Sequence, residues 1–154
     1  MFNIRAIKLK DVDEVFNHAY QLAMRTGSVS VDFVLTKEKL IEGLFGTKAD
    51  LYGLVVTENN RIVGSCLYCF VNINRPFNKT GCLFLDMLFV DPASRFKGIG
   101  KLLIQEMEQI ARNNNIARIE FWCMKDNIAS GEFYKNIGAK KLDLVDVYNL
   151  DIGM

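Results

Sequence analysis

Two kinds of hydrophobic spacing alternate along the chain, and their order predicts most of its elements. Asn3 to Lys8 (NIRAIK) alternates apolar and polar residues and reads as a strand with one half-buried face. From Asp11 the spacing lengthens. Val12, Val15, Phe16, Ala19, Leu22 and Ala23 form a helical stripe, with Asp11 as N-cap and Arg25-Thr26-Gly27 as the stop. His18 lies off that stripe and is expected in solvent or in a hydrogen bond. Thr36 opens a second helix whose apolar face is Leu40, Ile41, Leu44 and Phe45, with Gly46 as a left-handed stop; Lys39 stands where a capping box needs an acid. Leu51–Thr57 and Ile62–Val71 read as a hairpin around Asn59-Asn60, and Gly64 predicts a bulge or close packing.

Cys82–Val90 (CLFLDMLFV) is an apolar strand with one carboxylate, Asp86. After the Asp91-Pro92 turn, Arg95-Phe96-Lys97-Gly98-Ile99-Gly100 runs into a helix marked by Ile99, Leu103, Met107 and Ile110. Ala117–Cys123 is the next strand. A helix joins it to Cys82–Val90, so the two are expected as parallel neighbours. Asp126-Asn127 starts a last helix that Gly138 closes, and Lys141–Ile152 is expected to give one or two closing strands.

Composition narrows the classes. Half of the 154 residues are apolar and the formal net charge is +1, which gives no electrostatic argument for a nucleic-acid or membrane partner. No apolar run approaches a membrane span. Phe2–Lys10 reads as a strand and not as the apolar core of a leader, so a cytoplasmic location is expected. Of the four cysteines, Cys66 and Cys69 have CxxC spacing, but an offset of three puts them on opposite faces of a strand. His18 is the sole histidine, so buried thiols in a reducing compartment are expected and no metal site is.

A buried strand, a glycine-bearing loop and a helix N-terminus make an anion-binding device, because unpaired N–H groups point out of the first helical turn. Which anion it takes can be tested by spacing. A Walker loop fails: Leu102 follows Gly100-Lys101, and Arg95 occupies the place of the first glycine. A Rossmann fingerprint fails because Leu103 stands at its third glycine.

The wider pattern is more specific. Arg-x-x-Gly-x-Gly after an apolar strand ending in Val-x-Pro resembles the coenzyme A motif of the GNAT N-acetyltransferases. Asn127, Phe133-Tyr134-Lys135 and Gly138-Ala139 resemble the signature that follows the family's fifth strand. Val34-Leu35-Thr36, Gly43–Gly46, Leu85–Val90 and Phe133–Ala139 are most similar to the spermidine/spermine and thialysine branch. The resemblance covers nearly the whole chain. It implies a single domain, 1–154, of α/β (α+β) class, with a mixed, mostly antiparallel sheet of about seven strands and helices on both faces.

It also implies roles. Acetyl-CoA would be the co-substrate, with no metal. Its pyrophosphate would lie on the backbone of Lys97, Gly98, Ile99, Gly100 and Lys101 beside Arg95 and Phe96. Phe96 replaces a glycine common in relatives, at a position read as sterically unimportant. Pantetheine would pair with Leu88, Phe89 and Val90 as an added strand. Asn127, Ser130, Tyr134 and Lys135 would contact the cofactor from the last helix, with Tyr134 protonating the departing thiolate. Asn127, Ser130/Gly131 and Tyr134 share one face of that helix; Ala129, Phe133 and Ile137 share the other, expected in the core.

Asp86 has its own chemical argument. An amine of pKa about 10.4 is neutral in only about one part in a thousand near pH 7.4. A carboxylate that steers or deprotonates it, directly or through water, therefore matters. Met87 stands where the polyamine branch carries a second acid. The acceptor is expected to be a primary amine of a small molecule, and Arg25 is placed to meet a substrate carboxylate. A catalytic homodimer is implied by the resemblance. A non-catalytic acyl-CoA-binding module, or acetylation of a protein or peptide amine, stays open beside it.

Overall fold

Five strands form one sheet in sequence order: β1 (Phe2–Ala6), β2 (Tyr52–Glu58), β3 (Arg61–Val71), β4 (Cys82–Val90) and β5 (Ile119–Phe121). The computed structural model describes residues 1–25, 34–72, 80–143 and 145–153. β1 to β4 are antiparallel, and β5 joins β4 in parallel through α3 (Ile99–Asn113), as the crossover predicts. The chain divides into two compact units, Met1–Met124 and Lys125–Met154. Among the described residues no helix is long and apolar enough to cross a membrane.

α1 (Val12–Arg25) and α2 (Lys37–Phe45) lie on one face of the sheet. Val12, Val15, Ala19 and Leu40 bury against Ile7, Val55, Leu67 and Met87 there. Asp11 precedes α1 and is held in a fork: Arg5 donates to both its oxygens (2.6 and 3.0 Å), and the Lys8 amide donates a third bond at 2.8 Å. Those partners pull its pKa below the usual carboxylate value against the cost of burial. α3 covers the opposite face. Gly64 of β3 makes that approach possible, since a Cβ there would stand 2.7 Å from Ile99 Cγ2 and 3.2 Å from the Phe89 carbonyl.

The hairpin turn is as expected: Asn59 and Asn60 sit at φ 50° and 63°. Thr36 caps α2, accepting from the Lys39 amide at 3.1 Å. Gly46 does not end α2 in the left-handed region. Its φ is −70°, and what requires glycine is space, because a Cβ would meet the Glu42 carbonyl at 2.4 Å. His18 is hydrogen-bonded but buried, not solvated, with Ser65 Oγ 2.8 Å from Nδ1. Of the cysteines, Cys66 and Cys82 are buried, Cys69 is half-buried, and Cys123 is exposed, against the expectation of four buried thiols.

Among the described residues the sheet has five strands, not about seven. Among the described residues of 139–153 none is a strand, although Val145 and Val147 keep the apolar alternation. Alternation marks a face that can be half-buried. A strand also needs a ladder partner, which the pattern does not supply.

Candidate active site

β4 carries a bulge at its one carboxylate. Leu67 registers with Met87 and the next residue, Tyr68, with Leu85, which leaves Asp86 as the extra residue of β4. Consecutive residues of β3 point to opposite faces, so their partners Leu85 and Met87 do too, although they are two apart. Met87 thereby enters the core under α1 and α2, and Asp86 is exposed.

Asp86 interacts with Cys69 of β3, and each shifts the other's pKa. Desolvation by the surrounding protein pushes the Asp86 pKa up, the Cys69 thiol draws it down, and Asp50 adds to the rise; the net direction is up. Burial and the facing carboxylate push the Cys69 thiol to about 11, so it stays protonated. Neither Cys69 nor Asp50 is evident as a site residue from sequence. The CxxC spacing does put Cys69 on the face away from buried Cys66, but only the bulge brings Asp86 to it.

β5 registers with β4 only from Leu83↔Ile119 to Leu85↔Phe121. Among the described residues of the sheet, the β5-side edge of Asp86–Val90 therefore has no strand beside it. Phe89 turns its ring away from any ligand there, stacking on His18 at 4.4 Å, so only its backbone can serve that edge. Such an edge fits an extended, amide-bearing chain.

The edge leads to the glycine loop. Arg95 Nε donates to the Val90 carbonyl (3.2 Å), so this side chain pins the loop to the end of β4. Gly98 is the N-cap of α3 at φ 83°, has no side chain to cap the helix, and has open space where a Cβ would stand. The first-turn amides of Ile99, Gly100 and Lys101 lie within a turn that cannot pair them internally, next to exposed Lys97 and Lys101. Ile99 contributes backbone alone, since its side chain is buried under Gly64. Phe96 differs from its expected neutrality: it adopts φ 62°, the left-handed region, with its ring fully exposed. Glycine would be unstrained there, so the replacement is costly in conformation.

In the second unit, α4 (Ile128–Asn136) is capped by Asn127, whose Oδ1 accepts from the Ser130 amide at 3.2 Å. The Tyr134 ring lies edge-on to Phe133 at 5.4 Å. Lys135 reaches Glu132 (3.5 Å) at the surface, and Ala129 is exposed, not in a core. Arg25 is exposed at the end of α1, and residues 26–33 that follow lie outside the described residues. Among the described residues no group of three or more His, Cys, Asp or Glu side chains could hold a metal ion.

An uncharacterized N-acetyltransferase of Methanocaldococcus jannaschii is 30% identical over 98 residues, 64% of this chain and 43% of that protein, so the match spans less than half of the relative. A protein of Clostridium acetobutylicum described as a predicted acetyltransferase, solved with acetyl-CoA, superposes with TM-score 0.77 at 22% identity, covering 97% of this chain and 96% of the other. An aminoglycoside acetyltransferase from an uncultured soil metagenomic sample gives 0.73 at 19% identity, covering 97% of each. None of these is described as a polyamine acetyltransferase, so the finer resemblance to that branch has no support from them. The family described as Acetyltransferase (GNAT) matches residues 15–139, and with that match across both units the chain belongs to the GNAT acetyltransferase family.

Proposed function

We propose that the chain is an acetyl-CoA-dependent N-acetyltransferase that acetylates a primary amine of a small molecule by direct attack in a ternary complex. The observation that carries it is the β4 bulge, which turns Asp86 out of the ladder where the open edge of β4 begins. Residues 1–154 would then work as one domain, in the cytoplasm and as a homodimer.

When bound, acetyl-CoA supplies an acetyl thioester. The backbone of Leu88, Phe89 and Val90 holds the pantetheine arm as an added strand. The amides of Gly98 to Lys101, with Lys97 and Lys101, hold the pyrophosphate. Asp86 accepts a proton from the acceptor's ammonium, directly or through water. A raised pKa brings this carboxyl nearer the pH at which such a transfer is effective. Tyr134 donates a proton to the departing thiolate. Asn127 and Ser130 shape the start of α4, and Arg25 meets an acceptor's carboxylate.

Thiol release from acetyl-CoA against polyamines, thialysine, amino acids, aminoglycosides and a peptide amine tests the reading. Turnover of a small primary amine is expected. Tight coenzyme A binding with no turnover of any acceptor would replace it with the binding-module reading.

A further inference from the structure

Phe96 is held in place at a cost that neither folding nor packing recovers. Its φ of 62° lies in a region that side-chain-bearing residues rarely adopt, and its ring is fully exposed. The loop around it is anchored on both sides. Ser94 is buried and its amide donates to the Asp91 carbonyl (2.8 Å); Arg95 Nε donates to Val90; Ile99 is buried beneath Gly64. The ring is thus presented at a defined point, two residues before the Gly98 N-cap of α3.

We propose that Phe96 is the platform on which the adenine ring of acetyl-CoA stacks, making this residue a determinant of preference for the full cofactor over its truncated forms. The proposal rests on the acetyl-CoA reading above. The pyrophosphate placed on the first-turn amides of α3 is joined through one ribose to adenine, the sole aromatic ring of the cofactor. An exposed phenyl ring next to those amides offers a flat apolar face, and base–aromatic stacking needs no further polar partner. A glycine at this position would relax the backbone but offer no such face.

Calorimetric titration of coenzyme A and of 4′-phosphopantetheine, which lacks adenosine, separates this role from a structural one. Phe96→Ala weakens coenzyme A about tenfold and leaves phosphopantetheine unchanged, while Phe96→Trp keeps both affinities. Phe96→Gly loses the same coenzyme A affinity yet unfolds at a higher temperature, because it removes the left-handed strain. The proposal is overturned if Phe96→Ala leaves coenzyme A binding intact or weakens both ligands equally. A wild-type protein that binds neither ligand overturns it together with the acetyl-CoA reading; tight wild-type binding unaffected by Phe96→Ala overturns the stacking alone.

Discussion

Asp86, the bulged residue of β4, and Cys69 of β3 shift each other's ionisation: the thiol draws the carboxyl's pKa down, and the carboxylate pushes the thiol's up. The thiol is what opposes desolvation and Asp50 in setting the Asp86 pKa. Cys69→Ala removes the thiol and leaves both raising effects in place. The acid limb of the kcat/KM profile, measured from pH 5 to 9, then moves to higher pH, and Cys69→Ser restores it. A limb that stays put in Cys69→Ala would show that Asp86 is not the group titrating in the reaction.

Asp86→Asn keeps the shape and removes the base. At pH 7.5 kcat/KM is expected to fall by about 10² to 10³, within the range of general-base contributions. The fold should respond in the other direction. An acid whose folded pKa is raised holds its proton more tightly in the native state, so stability is lost as pH climbs from the ordinary carboxyl value near 3.9. The melting temperature of Asp86→Asn minus that of wild type should therefore grow as pH rises out of that range. Calorimetric scans across acid pH measure it, and a difference that shrinks would contradict the assigned shift.

Which parts of this site were legible beforehand follows from what a side-chain pattern encodes. β4 is found at its predicted ends because a continuous apolar run stops at Asp91-Pro92. α2 starts where Thr36 can cap it, and α3 follows the glycine loop. The bulge was invisible for a physical reason. Apolar residues occupy both faces of β4, so no break in alternation marks the extra residue, and Asp86 gives no signal of being unpaired. The left-handed turn at Phe96 was hidden because its side chain is the wrong one for that conformation. The tail misled in the opposite sense, since Val145 and Val147 alternate without a described ladder.

Gly64 is the contact point between the sheet and the helix that opens the anion site. Gly64→Ala drives a methyl group against Ile99 Cγ2 and the Phe89 carbonyl, neither of which has room to move freely in the core. Overpacking of this kind costs about 1–3 kcal/mol. Thermal unfolding should drop by about 2–10 °C. Because Ile99 is the first residue of α3, the KM for acetyl-CoA should rise by a larger factor than kcat falls. An unchanged KM in a folded variant would separate the loop from the packing beneath it.

His18 ties α1 to the strand end that leads into the site, stacked on Phe89 and bonded to Ser65, its cross-strand neighbour. Burial lowers its pKa; Glu14, 3.3 Å from Nε2, and Asp91 pull the other way without reversing the direction. The native state therefore favours neutral imidazole, whereas the unfolded chain takes up a proton near pH 6.5. By linkage, stability is intact above about pH 6.5 and falls as pH drops below it. His18→Gln has no such proton to refuse, so its unfolding free energy should change less between pH 7 and pH 5 than that of wild type. Urea titrations of both proteins at the two pH values give the comparison, and parallel losses would mean that His18 is not the group responsible.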